Sequence, residues 1–420
     1  MAKQQKFQSV RGVQDLLPAD MVLWHRIESA AREVFGNFGF EELRIPVIEH
    51  TPLFARSIGE ATDIVEKEMY TFEDTGGEMI TLRPEGTAGA VRAFIEHSLG
   101  HTMRVAKFYY MGPMFRRERP QKGRLRQFYQ IGAEVLGSDD AATEVTLLVM
   151  LKTFFERLGL EGTKLEINSL GGPETRSEYR QKIYDHFKPL IGDFCEDCQR
   201  RIETNPLRIL DCKVDHAKTQ GAPQIIDHLS EEDATHWHQT LRGLEDAGLT
   251  FDVNPRIVRG LDYYTRTVFE FTTDRLGSQN TVAAGGRYDG LVEQLGGKPT
   301  PAAGFAIGIE RLAMLLDPEK AGAIEGKPKV FLANIGEAGR KWAVLTSVDL
   351  ARQGIRAEID LLGGSLKAQM KYADKLGATY ALVVGDDELA SGEGRLRRLS
   401  DGEEFPVQLS GLAAKLEEMA

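Results

Sequence analysis

Residues 116–134 read RRERPQKGRLRQFYQIGAE. From Arg116 to Arg126 this stretch sets six cations (Arg116, Arg117, Arg119, Lys122, Arg124 and Arg126) against one carboxylate, Glu118, in a chain whose net charge is -11. Pro120, Gln121, Lys122 and Gly123 interrupt it as a loop. On either side the residues alternate: Tyr109, Met111 and Phe115 before the loop, and Phe128, Gln130, Gly132 and Glu134 after it. That pattern predicts two strands joined by a basic hairpin, with both sets of side chains on one face. Polar groups aligned with Phe128 along a strand either bind something or cost stability. Positive charge concentrated on a sheet points to a polyphosphate ligand, and a basic loop beyond it to a nucleic-acid end.

The 420 residues are enough for two or three domains and one large core. A composition of 42% hydrophobic and 27% charged residues is that of an ordinary soluble protein. No apolar run approaches a membrane span, and MAKQQKFQSV lacks the apolar centre of a signal peptide, so the expectation is a cytoplasmic protein without a membrane partner. The acidic total confines positive charge to patches and is compatible with a nucleic-acid partner. Three cysteines argue against a disulfide framework. Cys195, Cys198 and Cys212, followed by His216, spell C-x2-C-x13-C-x3-H, an acceptable zinc spacing. The reading favoured here is reduced structural cysteines and no metal, with zinc at those four residues as the alternative.

Working outward, an amphipathic helix is predicted from Ala19 to Asn37, with Leu23, Ile27, Ala30 and Val34 on one stripe. A strand from Phe40 to Ile45 follows and stops at Pro46. Pro84 and Gly86 bracket Glu85 in a turn before a helix over 88–98. A carboxylate there either caps the helix dipole or, with Thr87, grips an ammonium group. Charged, helix-forming sequence from about 172 to 252 reads as an inserted helical subdomain. Arg259–Phe271 reads as a turn and an alternating strand, Ala284–Leu291 carries paired glycines, and Ala303–Leu312 is a small-residue strand entering a helix. Arg311 falls in that helix's first turn, where a cation is misplaced unless an anion binds too. After Lys327 the pattern alternates strand and helix, predicting a small, mainly parallel α/β domain. Neither a P-loop nor a G-x-G-x-x-G fingerprint is present, so phosphates must be held by arginines.

These segments resemble the class II aminoacyl-tRNA synthetases, and specifically the histidyl-tRNA synthetase family of bacterial type. Arg116–Glu134 looks like motif 2, the helix–strand–Pro46 unit like motif 1, and Ala303–Leu312 like motif 3, with Ala306 where many class II enzymes have glycine. Arg11–Pro18 resembles the family's opening segment, and Arg259–Phe271 and Ala284–Leu291 its two histidine-specific signatures. The resemblance implies an α/β protein. A class II catalytic domain on an antiparallel sheet (1–325, with its insertion) would be followed by an anticodon-binding domain (328–420).

The reaction implied is histidine–tRNA ligation. Histidine is activated with ATP and Mg2+ to histidyl-adenylate and then transferred to the 3′ end of tRNA(His) by a homodimer. The resemblance carries roles onto particular residues. Arg116 would bridge the amino acid's carboxylate and the α-phosphate, with Arg259 opposite it as its catalytic partner. Arg311 would hold the γ-phosphate, while Phe128 and Glu118 receive adenine. Glu85 and Thr87 would bind the ammonium group. Gln130, Glu134, Tyr263, Tyr264 and Tyr288 would form the histidine pocket, Glu134 and Tyr264 reaching the imidazole. Lys122 and Arg124 would meet the tRNA acceptor end. The alternative is the non-catalytic, histidine-binding regulatory paralogue of ATP phosphoribosyltransferase, which usually has eroded motifs and lacks the last domain.

Overall fold

The structure is a computed structural model that describes residues 7–59, 62, 64–121, 123–210, 212, 214–257, 261, 263–277, 280–317 and 327–419. The chain forms two compact units, Met1–Ala321 and Gly322–Ala420. The first is built on an eight-stranded sheet in the order Glu41–Glu42, Ala106–Phe115, Gln127–Leu136, Ala302–Gly308, Thr281–Arg287, Thr265–Thr272, Lys164–Ser169 and Asp252–Val253. Its six central strands pair antiparallel, and the two-residue strand at each edge pairs parallel. One face is covered by the helices Pro18–Asn37, Ala142–Leu158 and Glu231–Asp246. Their apolar stripes (Trp24, Ile27 and Phe35; Leu147, Leu151 and Phe154; Trp237 and Leu244) join Ile131, Phe271 and Phe305 in one core. Burying such side chains stabilises by about 1.5–3 kcal/mol each.

Register corrects one sequence expectation. Tyr110 lies opposite Gly132 and Met114 opposite Phe128. Residues directly opposite share a face, so Tyr110 and Met114, rather than Tyr109 and Met111, lie beside Phe128 and Gln130. Tyr109 turns to the other face and packs edge-on against Phe35, with ring centroids 5.7 Å apart. The expected strand Phe40–Ile45 is also shorter, pairing only at Glu41–Glu42 before the chain leaves the sheet. Ile48–His50 then joins a separate three-stranded sheet with Met79–Leu82 and Tyr70–Glu73.

Within the 172–252 segment the helices Pro173–Phe187 and Glu196–Thr204 surround a small core of their own that includes Tyr179, Ile183, Cys198 and Leu207. The third helix, Glu231–Asp246, packs instead on the main core through Trp237 and Leu244. The second unit holds a five-stranded sheet. Ala357–Ile359, Val330–Asn334 and Tyr380–Val384 run parallel, and the hairpin Glu393–Arg398 with Glu404–Gln408 is added antiparallel. This hairpin is the antiparallel part of a domain that the sequence pattern predicts to be mainly parallel.

Candidate active site

Cross-strand registers generate the floor of a cavity on the sheet face opposite the main core. One row runs Tyr110, Gly132, Ala306, Ala284, Glu270, and a second runs Gly112, Gln130, Gly308. Small residues at the centre of the first row leave room above the sheet for a ligand. Tyr110 lies across this floor because Gly86 and Gly132 flank its ring. A Cβ on either glycine would come within 2.1 Å and 2.3 Å of ring atoms, respectively. The cavity has a volume of about 420 Å³.

Its inner end is lined by Thr87, Tyr110, Gln130, Tyr263 and Tyr264. Tyr263, Tyr264 and Tyr288 form an aromatic cluster, with Tyr263 4.8 Å from Tyr264 and 5.4 Å from Tyr288. Glu134 lies behind Thr87 and Tyr110, fully buried. It accepts hydrogen bonds from Thr87 Oγ1 and Tyr110 OH, each 2.8 Å, and from Tyr288 OH. Burial pushes its pKa up to about 8, with the neighbouring Glu85 charge adding to the rise and the hydroxyls opposing it. Gln130 Oε1 is buried and has no hydrogen-bond partner among the described residues. A buried acceptor in that state costs free energy until a donor arrives.

Glu85 caps a helix and also faces the cavity. Its carboxylate accepts from the Thr87 amide at 2.6 Å and the Ala88 amide at 2.9 Å, the first residues of the helix Thr87–Glu96, and it also lines the cavity. Burial raises its pKa, and these amides and Arg116 oppose the rise.

Arginines gather at the outer end. Arg116 donates to the Pro84 carbonyl at 2.9 Å and lies over the Phe128 ring at 5.2 Å. Arg311 reaches the carbonyls of Gly123 at 3.1 Å and Thr281 at 3.0 Å. Burial lowers its pKa, and so does repulsion from Arg124 and Arg116. Like charges crowded in this way favour an anionic ligand. Arg124 pairs with Glu118 and lies 3.8 Å from Glu68, so its side chain is directed to the cavity margin. Arg259 and Lys122 lie outside the described residues.

Among the described lining residues with titratable side chains, Tyr110, Glu270 and Glu310 carry no role in the sequence reading. Tyr110 was missed because the register of the first strand was read one residue out. Glu270 had been quoted only as part of a strand, although alternation toward the cavity was a usable signal. It accepts from Thr281 Oγ1 at 2.8 Å. Glu310, next to Arg311, accepts from the Tyr129 amide at 2.9 Å, and burial pushes its pKa up to about 7. No local sequence signal distinguishes it. Tyr288 is not part of the cavity lining and reaches the site through Glu134 and the rings of Tyr263 and Tyr264.

Comparison with known proteins finds matches over nearly the whole chain. A family model described as histidyl-tRNA synthetase matches residues 12–171 and 205–312, and an anticodon-binding-domain model matches 329–419. The histidine–tRNA ligase of Trichlorobacter lovleyi is 52% identical over 95% of both chains. That of Anaeromyxobacter sp. (strain K) is 49% identical over 98% of this chain and 99% of its own. The crystal structure of apo S. aureus histidyl-tRNA synthetase superposes with a TM-score of 0.84 at 38% identity, covering 98% of this chain and 100% of that one.

Proposed function

We propose how this chain works from one premise: it belongs to the histidyl-tRNA synthetase family, and its activity is that of a class II histidine–tRNA ligase. Histidine's carboxylate attacks the α-phosphorus of ATP, a P–O bond forms, and pyrophosphate leaves. The terminal ribose hydroxyl of tRNA(His) then attacks the histidyl carbonyl, and AMP leaves. Such chemistry depends on positioning and charge stabilisation more than on a protein nucleophile.

The observation that carries the residue assignments is the polarity of the cavity, hydroxyls and a buried carboxyl at one end and arginines at the other. At the inner end Glu134 and Tyr264 meet the two imidazole nitrogens, which require partners of different kinds. Gln130 Oε1, unpartnered and buried, together with Glu85 and Thr87, receives the ammonium group. Tyr263 and Tyr288 hold the ring and its carboxyl partner in place. At the outer end Arg116 bridges the amino acid's carboxylate and the α-phosphate, since a guanidinium fork suits both. Arg259 acts from the opposite side and Arg311 on the γ-phosphate. Phe128 stacks on adenine and Glu118 accepts from its amino group.

Mg2+ usually takes one or two carboxylates together with substrate phosphates. Glu270 lines the cavity with Arg311, which fits that requirement, and the ion would neutralise phosphate charge when bound. The Lys122–Arg124 loop meets the acceptor end, and residues 328–420 read the anticodon. A second copy completes a homodimer, with Ile48 and Phe72, exposed on one face of the small sheet, as the apolar surface it would cover. The protein works in the cytoplasm, and none of its described helices is long and apolar enough to cross a membrane.

Histidine-dependent ATP–pyrophosphate exchange, with other amino acids as controls, tests the reading. Exchange with histidine alone, followed by charging of tRNA(His), is the expected result. Tight histidine binding without exchange would favour the regulatory paralogue, against which the matched anticodon domain argues. Arg259→Ala should abolish most exchange while histidine binding persists, and near-normal exchange would remove its role. Charge reversal at Arg124 should impair charging at least as much as adenylation.

A further inference from the structure

The histidine-activating cavity leaves unused the sulfur cluster in the 172–252 segment. Cys195 caps the helix Glu196–Thr204, Cys198 lies in its first turn, and Cys212 follows the short turn Pro206–Ile209. The structure brings a fourth group to them, and it is Asp215 rather than the His216 that the spacing had offered. One ligand atom from each of Cys195, Cys198, Cys212 and Asp215 lies within 4.8 Å of every other. His216 turns away, its Nε2 accepting from Arg256 Nη1 at 2.8 Å.

We propose that Cys195, Cys198, Cys212 and Asp215 form a structural zinc site that closes the small core of this insertion. Four ligands around one zinc ion, with Zn–S near 2.3 Å, place two sulfurs about 3.8 Å apart. Cys195 Sγ and Cys212 Sγ are 3.7 Å apart, and Cys212 Sγ is 3.7 Å from Asp215 Oδ2. With all four ligand atoms within 4.8 Å of one another, the group is the size of the coordination shell of a single ion. Three thiolates and one carboxylate are a donor set that selects zinc over magnesium or calcium, and four protein ligands make a closed site.

Outer contacts are also in place, as ligating groups in metal sites require. The Asp215 amide donates to Cys212 Sγ at 3.4 Å, and Lys218 Nζ donates to the other carboxylate oxygen, Oδ1, at 2.8 Å. Cys198, Cys212 and Asp215 are each less than 5% exposed. The Cys195 amide donates to Asp215 Oδ2 at 2.8 Å, which holds that oxygen toward the sulfurs. The segment also needs such a device. Its own core, from Tyr179 to Ile225, is small, and cores built from fewer than about 70 residues commonly require a metal or a crosslink. Its order matters to the cavity, because Arg176 from this segment donates to the Tyr264 carbonyl at 2.8 Å.

The test is metal analysis of the full-length chain, purified reduced, without a metal-affinity tag and without chelator. About one zinc per chain is expected. Exchange for Co2+ should give thiolate-to-metal charge-transfer absorption and the visible bands of a tetrahedral site. Substoichiometric metal below about a tenth per chain, with no cobalt bands from the reduced protein, would overturn the site. Asp215→Asn should weaken zinc retention against a competing chelator at least tenfold, roughly the loss seen when metal surroundings are altered, while His216→Ala retains it. The reverse outcome would overturn the ligand set. Cys198→Ser should lose the ion; if that variant does not fold, the stoichiometry and cobalt spectrum of the native chain decide.

Discussion

Glu134 and Glu144 are both fully buried glutamates of the same domain, yet they are stabilised in opposite ways. Glu144 meets Arg287, itself 0% exposed, through two parallel contacts of 2.8 Å and 2.6 Å, and His236 Nε2 at 2.7 Å. Those partners hold its carboxyl below the usual carboxylate range despite its burial. Among the described residues Glu134 has only hydroxyls as partners, from Thr87, Tyr110 and Tyr288, and its carboxyl is pushed up to about 8. The first carboxylate has a permanent countercharge built into the fold. The second has neutral partners and can be satisfied by a proton or by a ligand that brings positive charge. On the proposed assignment, the difference separates scaffold from recognition within a single signature, since Arg287 and Tyr288 are adjacent in sequence and contact different glutamates.

The largest expected effect comes from removing the countercharge. Arg287→Ala leaves Glu144 buried without its partner and should cost about 3–5 kcal/mol of stability, read by urea denaturation. A loss below about 1 kcal/mol would mean that the pair contributes no more than a surface ion pair does. Next is Glu134→Gln, which keeps the shape and removes the carboxyl. Histidine-dependent exchange should fall about 100-fold, equivalent to about 2.7 kcal/mol, while the variant at pH 7 is at least as stable as the parent. A variant that unfolds but stays active per folded molecule would reverse the assignment of roles between the two glutamates.

Much of this contrast was legible in sequence only as residue types. Phe128, Gln130 and Glu134 were placed on one strand face by alternation, and the register bears this out. A cluster of arginines in place of a glycine cradle was legible too, and Arg116, Arg124 and Arg311 line the cavity. Tyr110 was not legible, because the partner strand's register depends on how the intervening basic hairpin closes, and a one-residue error moves every side chain to the other face. Arg287 was seen only as a letter between paired glycines and a tyrosine, because its partner Glu144 is 143 residues away. Asp215 was passed over for His216 because spacing weighs residue types and says nothing about which of two neighbours turns inward. In each case the missing information was a long-range contact or a side-chain direction.

A smaller effect sharpens the scaffold side of the comparison. His236→Leu removes one hydrogen bond from Glu144 but leaves Arg287 in place, and Arg287 keeps its further contacts to the Ser138 carbonyl at 2.9 Å and to Asp289 at 3.0 Å. A hydrogen bond to a charged group is worth about 1.5 kcal/mol at the low end, and that is the expected loss. Exchange activity per folded molecule should be unchanged. A loss as large as that of Arg287→Ala would show the three residues to be one indivisible unit, which a double-mutant cycle would then quantify.

The smallest effect per unit change is in pH, where the two glutamates act with opposite sign. Glu144, lowered on folding, adds stability above the ordinary carboxylate range and loses it as pH falls. Glu134, raised on folding, contributes fully below its unfolded value of about 4.3, and that contribution declines as pH rises through about 8. Between those limits the decline has a slope of up to about 1.4 kcal/mol per pH unit. The groups facing Glu134 are Thr87, Tyr110, Tyr288 and Glu85, and Glu85 is raised by burial as well, so Glu134→Gln removes part of the slope and not all of it. Urea midpoints of parent and Glu134→Gln should lie closest at pH 5, separate in the variant's favour toward pH 8, and run parallel beyond. Curves parallel from the start would mean that the three hydroxyls hold Glu134 charged throughout, which would erase the distinction from Glu144.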